Sequence, residues 1–144
     1  MNKDNEEYWD KEKVLIPIKD ICLDPDNPRL DTYLRTLERE GLEVEKLNQD
    51  DLLKHYLNVE KEAFEQWKQS IQINGVINPI FVIHAPKDYP CKYVVKEGNV
   101  RLAILKHLTK EQAKGNAKPP DGVQWDVIPA ICLHIFDYNL KELL

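Results

Sequence analysis

The sequence predicts an α/β (α+β) domain, a small mixed sheet flanked by helices, and three observations carry that prediction. Short β-branched apolar runs recur at KVLIPI (13 to 18), NPIFVIHA (78 to 85), KYVVKE (92 to 97) and WDVIPAICLHIF (125 to 136). Val59, Ala63, Trp67 and Ile71 repeat every four positions with Phe64 beside them, the stripe of an amphipathic helix. Finally, the strand-like Tyr93-Val94-Val95 passes through a polar step, Glu97-Gly98-Asn99-Val100-Arg101, straight into the helix-like run Leu102 to Leu108.

Residues 1 to 12 read as a polar lead-in, 13 to 138 as the domain, and 139 to 144 as the start of a terminal helix or a cut-short end. KVLIPI is expected at a sheet edge because Pro17 cannot donate to a ladder. The apolar pattern is then expected to end in ICLDPDNPRLD, whose Asp24-Pro25 and Asn27-Pro28 steps set an extended loop that presents Arg29. Residues 31 to 57 suggest two short helices broken near Gly41 to Asn48. Asn58 is read as the cap of the amphipathic helix, with Glu60 and Glu62 in its first turn and Asn74-Gly75 as its stop. Phe64, Trp67 and Ile71 are taken as core. The run 78 to 85 is apolar on both faces and is expected inside the sheet, paired with or next to 92 to 97. A helix from Asn99 runs into the loop-forming tail TKEQAKGNAKPPDGVQ (109 to 124), and 125 to 136 closes the sheet.

With 144 residues, 42% of them hydrophobic and 31% charged, the chain has the size and balance of one globular domain. A formal net charge of −5 argues against broad adhesion to nucleic acid, which needs a surplus of lysine and arginine. Cys22, Cys91 and Cys132 are odd in number and far apart, suggesting neither a disulfide framework nor a zinc knuckle, so a reducing cytoplasm is expected. His55, His84, His107 and His134 lack ligand spacing. No segment has membrane-spanning length and the start, MNKDNEEYWDKEK, lacks the apolar stretch of a signal peptide.

The junction KEGNVRLAILKHL (96 to 108) carries the chemistry. A strand that turns through glycine into a helix leaves unpaired N–H groups at the positive end of the helix dipole, a setting suited to an anion. Arg101 in the first turn opposes the dipole unless something negative sits there. Lys96, Lys106 and His107 lie close by in sequence and would enlarge a positive pocket. Asn99 is a common helix cap, and its amide could also reach a phosphate or a magnesium-bound water.

Read in order, DNPR, SIQINGVINPIFV, YVVKEGNVRLAIL and VIPAICL, the chain resembles the ParB N-terminal domain of the ParB/sulfiredoxin superfamily over roughly residues 14 to 136. The resemblance implies a nucleotide whose phosphates are met by a Pro-Arg loop, a Gly-x-x-x-Pro-Ile strand entry and a glycine-led turn. The matching positions are Arg29, Gly75, Pro79, Ile80, Gly98 and Arg101, with Asn99 and Val100 inside the turn. CTP or ATP is the implied ligand, with magnesium through Glu97 or Asn99, and Glu97 and Arg101 are the implied catalytic pair.

Two departures from the family pattern matter. Sulfiredoxin's catalytic cysteine falls at Asn99, and an amide cannot attack as a thiolate does, so sulfinic-acid reduction is excluded. Partition proteins have Gly-Glu-Arg-Arg where this chain has Gly98-Asn99-Val100-Arg101, one carboxylate and one guanidinium fewer. Glu97 stands one residue early for the missing acid, and strand alternation would turn it to the other face. The resemblance implies a nucleotide-binding domain, an NTPase if active, in a DNA-related process of a plasmid, phage or chromosome. DNA contact would come through a larger protein or partner, and a homodimer stays open. The alternatives are a metal-dependent nuclease or DNA-associated module, and a catalytically silent interaction domain.

Overall fold

The computed structural model describes residues 13–26, 48–59 and 61–133. Arg29, residues 31 to 47 of the expected 31 to 57 helices and the expected terminal helix lie outside the described residues. Within them the elements are β1 (Val14–Pro17), a 3-10 turn (Ile18–Asp20), β2 (Ile21–Cys22), α1 (Gln49–Val59), α2 (Lys61–Asn74), β3 (Ile80–His84), β4 (Tyr93–Glu97), α3 (Asn99–Ala113) and β5 (Val127–Cys132). This is the mixed α+β arrangement the sequence predicts.

The strands form one five-stranded sheet in the order β1-β5-β3-β4-β2. β3, apolar on both faces, takes the centre, antiparallel to β4 and parallel to β5. Pro17 lies on the edge strand β1, as its missing donor requires. Alternation divides the strands between two cores. Ile80, Val82 and Val95 face the helices with Leu102, Ile104, Leu105 and Leu108 of α3, while Ile83 and Val94 join Cys22 and Leu133 in a smaller cluster. Trp125, almost fully buried, donates its Nε1–H to the Gln72 carbonyl at 3.3 Å and ties the last turn of α2 to the entrance of β5.

Four expectations are corrected. Ile21 and Cys22 do not belong to a loop: they form an edge strand parallel to β4, with Ile21 opposite Tyr93 and Cys22 opposite Val94. That pairing brings Cys22 within 5.8 Å of Cys91, Cα to Cα, and the two are joined in a disulfide across 69 residues, so the cysteines no longer argue for a reducing compartment. Asn58 lies inside α1 and does not cap α2. Trp67 is 41% exposed, whereas Phe64 and Ile71 on the same helix are buried as expected. Asn74-Gly75 ends α2 as read, with Gly75 at φ 71° and its N–H on the Ile71 carbonyl at 2.7 Å. Among the described residues no helix is long and apolar enough to cross a membrane.

Candidate anion site at the start of helix α3

β4 delivers the chain to Gly98, whose φ of 107° is open to glycine at little cost and to other residues only under strain. The close approach of β3 adds a second reason for glycine. A Cβ there would fall 2.9 Å from Ile80 Cβ, still nearer to Ile80 Cγ2, and 3.1 Å from Arg101 Nη2. A glycine has no side chain with which to cap, and the first turn of α3 holds no acidic residue. The first bond of the helix is Leu102 N–H to the Gly98 carbonyl at 3.0 Å, so the N–H groups of Asn99, Val100 and Arg101 precede it.

Asn99 is not the cap that its residue type suggests. Only 3% exposed, it spends its Oδ1 on the backbone N–H of Asp24 at 2.9 Å, and its buried Nδ2 has no acceptor. Leaving such a donor unpaired costs about 1 to 3 kcal/mol. The Leu23-Asp24 segment that takes this bond is itself held from several sides. The Asp24 carbonyl accepts from the Tyr56 hydroxyl at 2.6 Å, and the Gln49 side chain both accepts from Leu23 N–H at 2.7 Å and donates to the Leu23 carbonyl at 3.1 Å. Asp24 Oδ1 accepts from Asp26 N–H at 3.0 Å, and Oδ2 receives Lys96 Nζ at 3.3 Å. Burial nonetheless pushes the Asp24 carboxyl above its ordinary value, since the desolvation of this pair outweighs the help from Asp26 N–H and Lys96.

Arg101 leans back over the β3 entrance. Its Nη1 donates to the Asn78 carbonyl at 2.9 Å and the Pro79 carbonyl at 3.3 Å, and its Nη2 stands 3.6 Å from Glu97 Oε1. Burial lowers the guanidinium's pKa and the Glu97 charge opposes that shift; arginine stays protonated. Glu97 therefore shares a side with Arg101, against the expected alternation: the i,i+4 step from the strand's last residue into the helix brings them together.

These groups border one cavity of about 570 Å³. Of the residues singled out in the sequence, Gly75, Pro79, Glu97, Gly98, Asn99, Val100 and Arg101 line it together. Ile80 does not: it is buried in the core beneath Gly98, so its expected ligand contact is replaced by a packing role. Sequence reading missed Trp67, Ser70, Ile71, Val76, Ile77 and Phe81 as lining residues, and with Asn78 they complete the described wall. The expected enlargement of the positive pocket is also corrected. Lys96 is tied to Asp24, Lys106 donates to the Ile18 carbonyl at 3.0 Å, and His107 packs edge-on to Phe64 outside this cavity.

The donor set suits an anion better than a cation. Asn99 has its oxygen engaged and its N–H groups without an acceptor, which runs against the expected metal role, and Glu97 is the one carboxylate among the described residues of the lining. Among the described residues no three His, Cys, Asp or Glu side chains group to hold a metal.

No family model and no curated protein matches the sequence. Among solved structures, the chain is similar to a C-terminally truncated chromosome-partitioning protein ParB from Caulobacter crescentus, complexed with CTP-gamma-S. The likeness has a TM-score of 0.49 and 19% identity over 91% of this chain. It spans 49% of that protein's chain. A likeness at this level assigns neither ligand nor activity.

Proposed function

We propose that the cavity at the start of α3 binds the phosphates of a nucleotide, CTP or ATP, and that the chain is a ParB-like nucleotide-binding domain serving a DNA-related process. One observation carries this reading: an uncapped helix N-terminus and a buried amide donor without an acceptor border the same 570 Å³ cavity. A phosphate oxygen satisfies both at once and receives Arg101 Nη2 as well. The sequence resemblance to the ParB N-terminal domain points the same way.

Nucleotide hydrolysis at this site would rest on positioning and charge stabilisation, with Arg101 facing the developing negative charge and Glu97 accepting a proton from water. A magnesium ion accompanying the triphosphate would supply further charge neutralisation, and Glu97 would hold it. The nuclease reading draws less support, since Glu97 is 65% exposed beside Arg101 and the whole chain carries −5.

Calorimetric titration with ATP, GTP, CTP and UTP, with and without magnesium, tests the reading. At least one nucleotide is expected to bind. Asn99→Asp keeps the acceptor for Asp24 N–H and removes the free donor, and is expected to weaken binding at least about ten-fold, the scale of one hydrogen bond to a charged group. Absence of binding at millimolar nucleotide, or unchanged affinity in Asn99→Asp, would overturn it.

A further inference from the structure

Part of the cavity's lining is left unused by the phosphate reading. Trp67 is 41% exposed although it sits on the apolar face of α2 between the buried Phe64 and Ile71. It lines the same cavity as Asn99 and Arg101. Ser70 and Ile71, three and four residues further along α2, line the cavity with it and so share its helix face. From the β3 side come Ile77, 69% exposed, and Phe81. An exposed indole with aliphatic and aromatic neighbours is costly to leave in water. It gains most from a flat ring laid on its face.

We propose that Trp67 is a stacking platform for the nucleobase of the bound nucleotide, and that the site ranks nucleotides mainly by the stacking area of the base. This rests on the nucleotide reading above. Few lining groups are placed to read a base edge. Ser70 offers a hydroxyl and Asn78 a side-chain amide, both exposed, while the Asn78 and Pro79 carbonyls are already engaged by Arg101. Stacking tolerates any base and grows with ring area, so purine nucleotides bind at least as tightly as pyrimidine ones. Ser70 and Asn78 then adjust the ranking within each class.

The test compares inorganic tripolyphosphate with ATP, GTP, CTP and UTP as titrants of the wild-type chain, Trp67→Ala and Trp67→Phe. Circular dichroism and melting check that each variant is folded; the exposed position makes folding of both expected. Trp67→Ala is expected to weaken every nucleotide about ten-fold, purines most, while leaving tripolyphosphate unchanged. Trp67→Phe recovers most of the loss. Equal weakening of tripolyphosphate and nucleotides, no weakening at all, or a wild-type preference for pyrimidines overturns the platform while the anion site stands. Failure of both tripolyphosphate and nucleotides to bind the wild-type chain overturns the anion site, and the platform falls with it.

Discussion

Replacing Gly98 with alanine tests whether the strand-to-helix corner is built as described. At φ 107° an alanine is held outside the conformations open to L-residues, a strain of about 1 to 3 kcal/mol. Its Cβ would also stand 2.9 Å from Ile80 Cβ and 3.1 Å from Arg101 Nη2. The arginine is flexible enough to yield. Ile80 is fully buried at the centre of the sheet and is not, so overpacking adds about 1 to 3 kcal/mol. The two effects together cost about 2 to 6 kcal/mol, a large share of the roughly 5 to 15 kcal/mol that holds an ordinary domain. Urea unfolding followed by circular dichroism measures the loss. Repeating Gly98→Ala in an Ile80→Ala background removes the nearer contact, at Cγ2, and leaves the backbone strain, so the same substitution costs less there. A loss under about 0.5 kcal/mol, or an equal loss in both backgrounds, would refute the reasoning.

Three other outcomes follow from the structure. Tyr56→Phe deletes the 2.6 Å bond to the Asp24 carbonyl and is expected to cost about 1 to 2 kcal/mol in urea unfolding; no loss would mean that the hydroxyl does not hold that segment. Cys22→Ser with Cys91→Ser releases a loop closed across 69 residues and is expected to lower stability by about 2 to 4 kcal/mol, whereas a melting temperature equal to that of the oxidised parent would contradict the pairing. Burial holds the His55 and His107 imidazoles below their ordinary 6.5. The unfolded chain therefore binds more protons just below 6.5, and stability is lost as pH falls from there through the folded values. Melting between about pH 5 and 7 should show this contribution as the difference between parent and His107→Gln, the variant losing less stability as pH falls; an unchanged pH dependence in the variant would contradict it.

The central strand was legible because Ile80 to Ile83 is apolar on both faces. The end of α2 was legible because Asn74-Gly75 has a local mechanism. The corner at Gly98 was legible for a similar reason: a glycine between a β-branched run and a helix-like run is a signal within a few residues. What escaped depends on partners distant in the chain. Ile21 and Cys22 become a strand only through Tyr93 and Val94, and the Cys22–Cys91 bond follows from that pairing. Helical spacing placed Trp67 on the apolar stripe of α2, but spacing does not reveal that a cavity lies over one position of that stripe. Asn99 looked like a cap because its type favours caps. Asp24, far away in sequence, takes its oxygen instead and leaves its buried nitrogen without an acceptor.

The proposed anion site turns on the Asn99 side-chain amide, and nuclear magnetic resonance observes that group directly. In ¹⁵N-labelled protein its NH₂ pair, assigned by its disappearance in Asn99→Asp, is expected to shift as tripolyphosphate or ATP is added, saturating with the calorimetric affinity. If ligand binds and that pair keeps its free-protein position, the phosphate lies elsewhere and the anion site described at the start of α3 is wrong.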